Sequence, residues 1–133
     1  IAEFIQTNGV DIDKNLDQLW RRIVFNIAVS NTDDHLRNHG FILKPRGWIL
    51  SPAYDINPSI DKDGLALNID MDSNALDLEL VKRVGEYFRL DGKQMDGIID
   101  EVESSVGQWK RIAGDIGISM AEQELMAAAF IGG

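Results

Sequence analysis

Ionisable and amide side chains crowd into one stretch of the chain, Asn31-Thr32-Asp33-Asp34-His35-Leu36-Arg37-Asn38, with His39 following it. Three chemistries suit such a set. Asp33, Asp34, His35 and His39 could be the metal ligands of a hydrolase, since carboxylates and neutral imidazoles commonly hold a catalytic ion. Asp33 and Asn38 could instead be the base and a magnesium ligand of a phosphotransferase: a carboxylate can take a hydroxyl proton, and an amide oxygen suits a hard cation. In the third reading the run is only a hydrogen-bonded loop, because Ser, Thr, Asn and Asp bond readily to nearby backbone.

Spacing separates the first two. Asp33 stands five positions before Asn38, the separation of base and metal-binding amide in the protein-kinase pattern H-R-D-x-x-x-x-N. Asp34 misses it by one. The pattern also needs a second metal-holding aspartate after a short hairpin, and Asp55, in Pro52-Ala53-Tyr54-Asp55-Ile56, stands in that place. The hydrolase reading has only two histidines in the chain to draw on. Four residues apart in a loop, they are guaranteed no shared face, so bracing or hydrogen-bonding within the loop is the simpler role for His35 and His39.

Such side chains need firm elements around them. Leu16, Leu19, Trp20, Ile23, Val24, Ile27 and Ala28 recur at the spacing of one buried helical face, which predicts a helix from Leu16 to Val29. Phe25 and Val29 widen the stripe, so burial on more than one side is expected, and Asp13 or Asn15 is placed to cap the first turn. After the polar run, Gly40-Phe41-Ile42-Leu43 and Trp48-Ile49-Leu50 flank the turn-forming Lys44-Pro45-Arg46-Gly47, which predicts a β-hairpin. Pro52 and Pro58 bracket an ordered loop.

From Ser59 to Asn74 the density of Asp, Asn and Gly predicts a loop, with a short strand-like alternation at Leu65-Ala66-Leu67-Asn68-Ile69. Leu78, Val81, Val84 and Phe88 then predict a helix over Asp77 to Phe88. Asp91 with Gln94, and Ser119 with Glu122, have the form of capping boxes. The first opens an apolar stripe of Met95, Ile98, Val102, Val106 and Trp109, the second one of Leu125, Met126, Ala129 and Phe130. Trp20 and Trp109, at helical spacing, read as core. The expected fold is mainly α with a small β-hairpin. It forms one domain over 1–133, with a helix, loop, hairpin and aspartate unit at 16–58 and a helical subdomain at 76–131.

Composition narrows the classes further. With 133 residues and 44% hydrophobic content the chain can form one domain with a core. It contains no apolar run of the about 18 residues that a membrane span needs and no basic-then-apolar leader, which favours a soluble protein. The absence of cysteine removes disulfides, thiolate zinc sites and cysteine nucleophiles, and is compatible with the cytoplasm. A formal charge of −9, with 22 acidic residues spread along the length, argues against direct binding to nucleic acid. The chain opens at Ile1 instead of a methionine and is read as a piece of a longer protein.

Several linked blocks also resemble one family. Phe25-Asn26, Asn31-x-Asp33-Asp34-His35-x-x-Asn38, Phe41 and Trp48-x-Leu50-Ser51-Pro52-Ala53-Tyr54-Asp55-Ile56 together resemble the C-terminal kinase domain of HipA-like proteins. Leu67-Asn68-Ile69, Asn74-Ala75-Leu76-Asp77-Leu78 and Glu86-Tyr87-Phe88 resemble it with lower specificity. The resemblance implies the helical C-lobe of a protein-kinase-like fold and an ATP-dependent serine/threonine kinase, the toxin of a bacterial toxin–antitoxin pair restrained by a DNA-binding antitoxin. It implies Asp33 as catalytic base, Asn38 and Asp55 as ligands of Mg2+ on ATP, and His35 as a loop brace, with a protein hydroxyl as acceptor. Asp34 stands where some members have glycine and takes no catalytic role.

The departure from the family pattern is the amino-terminal lobe. The twelve glycines include no G-x-G-x-x-G run, so a phosphate-covering loop and its strand lysine are expected elsewhere in the full-length protein. The chain alone is expected to be inactive. A non-catalytic pseudokinase or binding module is the alternative reading, with a metal-dependent phosphohydrolase behind it.

Overall fold

The structure is a computed structural model that describes residues 1–31, 38–60 and 71–130, with the backbone alone for 71–76. It is mainly helical, with one two-stranded antiparallel sheet. Helix α1 (Ala2–Asn8) leads into the long α2 (Ile12–Ala28); β1 (Phe41–Lys44) and β2 (Gly47–Leu50) form the hairpin; α3 (Met71–Arg83), α4 (Gly92–Val106), α5 (Trp109–Asp115) and α6 (Met120–Met126) follow. Short 3₁₀ turns at Gly85–Phe88 and Ala127–Ala129 follow α3 and α6.

Helix α2 is the spine. Leu16, Leu19, Trp20 and Val24 are buried as their spacing predicts, and Trp20 also donates from Nε1 to the Val81 carbonyl at 3.0 Å, tying α3 to the spine. Arg22 and Asn26 are buried too, so polar side chains share the interior. Against α2 pack α4, through Ile98, Ile99, Val102 and Val106, and the turn carrying Phe88.

The helix starts earlier than its cap candidates suggest. Its N-cap is Asp11, in the left-handed region at φ 50°, with no side-chain capping bond. Asn15 does not cap: it lies inside the first turns, donates to the Val10 and Asp11 carbonyls at 2.7 and 3.1 Å, and accepts from the Leu50 N–H at 3.0 Å. Its amide thus fastens the end of β2 to the start of α2, a contact of long sequence separation that no local capping rule contains.

The hairpin pairs Phe41 with Leu50 and Lys44 with Gly47, so Pro45 and Arg46 alone form its loop. Val10 donates to the Trp48 carbonyl at 2.9 Å, and Phe4 of α1 packs on Phe41 with ring centroids 4.6 Å apart. Sequence periodicity missed α1, whose seven residues bury only Ile5.

Further along, the expected loop up to Asn74 is corrected at its end, because α3 already begins at Met71; the strand-like Leu65 to Ile69 lies outside the described residues. Helix α3 stops at Arg83, and Gly85–Phe88 turn as a separate 3₁₀ unit that buries Phe88. Both capping boxes form, Asp91 with Gln94 and Ser119 with Glu122. The stripe from Met95 to Trp109 is broken, however: α4 ends at Val106 and Trp109 opens α5. Beyond Ser119 it is Gln123 that is buried, its Nε2 donating to the Ile118 carbonyl at 2.9 Å, while Leu125 is 63% exposed.

Candidate functional site

The polar run is entered through a fixed turn. Past Ala28, Ser30 takes a left-handed conformation at φ 56°, and its hydroxyl donates to the Ala129 carbonyl at 2.9 Å. Asn31 then folds back on the last turn of α2: its backbone N–H reaches the Asn26 carbonyl at 2.8 Å and its Nδ2 reaches Asn26 Oδ1 at 3.1 Å. Both asparagines are buried, so these bonds satisfy groups that would otherwise cost about 1–3 kcal/mol each. Asp33, Asp34 and His35 follow, and all three lie outside the described residues.

The chain is described again at Asn38, which is 7% exposed, before β1. Beyond the hairpin the ladder continues for one more bond, from the Ser51 N–H to the Gly40 carbonyl at 2.8 Å. Gly40 lies close under this segment: a Cβ there would stand 3.1 Å from Ser51 Oγ and 3.6 Å from the Tyr54 ring. Arg22, buried on α2, donates from Nη2 to the Ser51 carbonyl. A charged donor on a chain carbonyl is among the stronger hydrogen bonds, so α2 holds the base of the Pro52–Pro58 loop directly.

That loop brings Asp55 to Asn38. Asn38 donates from Nδ2 to Asp55 Oδ2 at 3.0 Å, and Asn57 donates from Nδ2 to Asp55 Oδ1 at 3.0 Å. Each carboxylate oxygen therefore carries an amide. Asp55 sits at φ 56°, a left-handed conformation that Asp and Asn adopt more readily than other side chains with a Cβ. The loop is closed on α2 by the Ser59 N–H, 3.4 Å from the Val29 carbonyl.

The two metal-ligand candidates are thus neighbours although 17 positions apart, one buried before the hairpin and one exposed after it. They fit magnesium by donor type. A carboxylate and an amide offer hard oxygens, and Asn38 rotated end for end within the same volume presents Oδ1 in place of Nδ2. The bracing roles of Arg22 and Asn57 were missed by the sequence reading, Asn26 entered it only through the resemblance, and Asn31 stood in the polar run without a bracing role. Their one signal was the polar interruption of an apolar stripe at Arg22 and Asn26. Among the described residues no three His, Asp or Glu side chains group as a metal cluster, and no helix is long and apolar enough to cross a membrane.

These features define a mainly helical domain in which one amide and one carboxylate, before and after the hairpin, lie side by side. Residues 1–109 match the HipA-like C-terminal domain, and the chain belongs to that family. A comparison with curated proteins gave no match.

Proposed function

We propose that the chain carries the base and metal corner of a HipA-like serine/threonine protein kinase. The observation that supports this reading is the contact between Asn38 and Asp55, because a phosphotransferase needs those two donor types at one point and a loop of purely structural polar residues does not. In this proposal Asp33 orients the acceptor hydroxyl of a protein substrate and takes its proton. Asn38 and Asp55 hold Mg2+, which when bound neutralises charge on the ATP phosphates. Asn57 and Arg22 fix the Asp55 loop so that this geometry exists before substrate arrives. His35 braces the loop.

The nucleotide's remaining contacts, and the helical C-lobe role of this domain in a kinase-like fold, belong to the same proposal, with an amino-terminal lobe in the full-length protein as the other half. So do a cytoplasmic setting and a toxin–antitoxin role with a DNA-binding antitoxin. The decisive experiment is transfer of radiolabelled γ-phosphate to protein by the full-length protein. Asp33→Asn is expected to lower the rate by about 10²–10⁴-fold, the usual share of a general base, while nucleotide binding persists. An unchanged rate in that variant refutes the assignment; a wild-type protein that binds ATP without transfer marks a pseudokinase, and turnover of phosphoesters without ATP marks a metallohydrolase.

A further inference from the structure

The hairpin has two edges, and they are treated differently. Its register and the Ser51 N–H bond to the Gly40 carbonyl make Gly40 with Ser51, Ile42 with Ile49 and Lys44 with Gly47 the hydrogen-bonded pairs, since such pairs alternate along an antiparallel ladder. At Phe41, Leu43, Trp48 and Leu50 the backbone N–H and C=O groups therefore point out of the hairpin. On the β2 edge they are engaged: the Trp48 carbonyl accepts from the Val10 N–H at 2.9 Å, and the Leu50 N–H donates to Asn15 Oδ1 at 3.0 Å. On the β1 edge, Phe41 and Leu43 each present a donor and an acceptor with no partner among the described residues. The side chains there are open as well, with Ile42 41% and Leu43 63% exposed.

A row of unpaired backbone groups is a template for an extended strand, and charge says which. Lys44 ends β1 and Arg46 lies in the turn beyond it; both are exposed, and neither joins an ion pair or side-chain hydrogen bond among the described residues. With Ile49 they line a hollow of about 780 Å3 against the sheet. Asp11, Asp13 and Arg89 line it too, and Arg89 pairs with Asp13 at 2.9 Å, which leaves Asp11 as the one carboxylate against two cations. A second copy joined through β1 about a two-fold axis at Ile42 would set Lys44 opposite a glycine, without counter-charge, and would bring together two chains of −9. We propose that β1 is the docking edge for an extended acidic segment of a partner protein, which adds to the sheet antiparallel to β1. Residues of that segment opposite Ile42 and Lys44 fall in non-hydrogen-bonded pairs, where side chains approach most closely. From its amino end the segment therefore places a carboxylate against Lys44 and, two residues later, an apolar side chain against Ile42. Bonds to Phe41 and Leu43 hold it, and the pairs with Lys44 and Ile42 select it. This inference stands apart from the kinase reading, because none of these residues belongs to the Asn38 and Asp55 pair.

The test titrates a capped peptide with the core glutamate-valine-isoleucine-valine into the isotopically labelled 133-residue protein and follows the amide resonances. The Phe41 and Leu43 amides are expected to shift together, saturably, and to slow in hydrogen exchange. A peptide methylated on both valine nitrogens, which face β1 in this register, should not bind, and a lysine in place of the glutamate should weaken binding. Leu43→Pro removes an N–H that points away from β2, so the hairpin's own ladder stays intact. It should weaken binding at least about tenfold, as a backbone group left unanswered does. Lys44→Glu, which leaves the edge in place, should reverse the preference between the glutamate and lysine peptides, and it decides the matter should Leu43→Pro disturb the hairpin. Absence of binding, shifts centred away from β1, equal binding of the methylated peptide, or wild-type behaviour in both variants overturns the proposal. So does a dimer in sedimentation that Leu43→Pro dissolves, since the edge would then belong to a second copy.

Discussion

Asn38 Nδ2 donates to Asp55 Oδ2 at 3.0 Å, so a buried amide before the hairpin and an exposed carboxylate after it meet across 17 positions of sequence. Asp55→Asn probes this pair cleanly. Asparagine accepts the left-handed backbone at φ 56°, so the change removes charge and one acceptor without straining the loop. The stability loss should be about 0.5–1.5 kcal/mol, one ordinary hydrogen bond. Mn2+ affinity, read by electron paramagnetic resonance as a stand-in for Mg2+, should fall at least about tenfold, since even second-shell changes commonly cost that much. Unchanged Mn2+ binding would remove Asp55 from the ligand set.

Arg22→Met keeps the length and apolar stem of the side chain and deletes the charged donor to Ser51. Hydrogen bonds from charged groups contribute about 1.5–3 kcal/mol, and a loss of that size is expected in urea denaturation. The consequence for the site is more specific. With the Ser51 carbonyl released, the 52–58 loop should loosen, and the Asn38 side-chain NH2 resonances should shift toward those of a free amide. A destabilised variant with unchanged Asn38 resonances would show that Arg22 supports the core alone.

The spine and hairpin were legible because their signals are local. Leu16, Leu19, Trp20 and Val24 declare one helical face, and the two capping boxes specify starts that the structure keeps. The failures share one cause. Arg22, Asn15 and Asn57 act through partners distant in sequence or through a loop geometry that periodicity does not encode, and so their burial or bonding had no local signature. Trp109 continued the α4 stripe in spacing while the chain turned after Val106. Leu125 was expected inside, yet its side chain is exposed and Gln123 takes the buried place with a backbone partner. For the candidate site, Asn38 and Asp55 were named from spacing and are brought together. Asp33 and His35 lie outside the described residues, so their roles rest on spacing and resemblance.

Gly85 is needed for space, not for backbone freedom. It lies at the start of the 3₁₀ turn after α3, and an added Cβ would strike Met95 Sδ on α4. Because the obstructing atoms belong to the flexible Met95 side chain, which can turn aside, Gly85→Ala should cost about 1 kcal/mol, the low end of an overpacked contact. Met95→Ala removes the obstructing thioether, so the double variant should be less destabilised than the two single losses combined. A coupling of at least about 0.5 kcal/mol in a double-mutant cycle is expected for residues in contact. Strict additivity would place the cost of Gly85→Ala in the backbone instead.

Asp77, on the face of α3 that is partly covered, is held above its ordinary value of 3.8 by loss of solvent. A carboxyl whose folded-state pKa is raised binds its proton more tightly in the native chain than in the unfolded one. Its contribution is therefore most favourable below the unfolded value and is lost as pH rises through the folded one. At neutral pH the ionised group costs stability. Asp77→Asn, which stays uncharged, should then melt higher than wild type at pH 7, by a free energy under about 1 kcal/mol given its partial exposure. The advantage should shrink as pH falls through the carboxylate range and vanish where both carboxyl states are protonated. Thermal melts of the two proteins compared across that range decide it: an advantage that grows toward acid would mean that Asp77 is stabilised as the anion, by a partner that outweighs its desolvation.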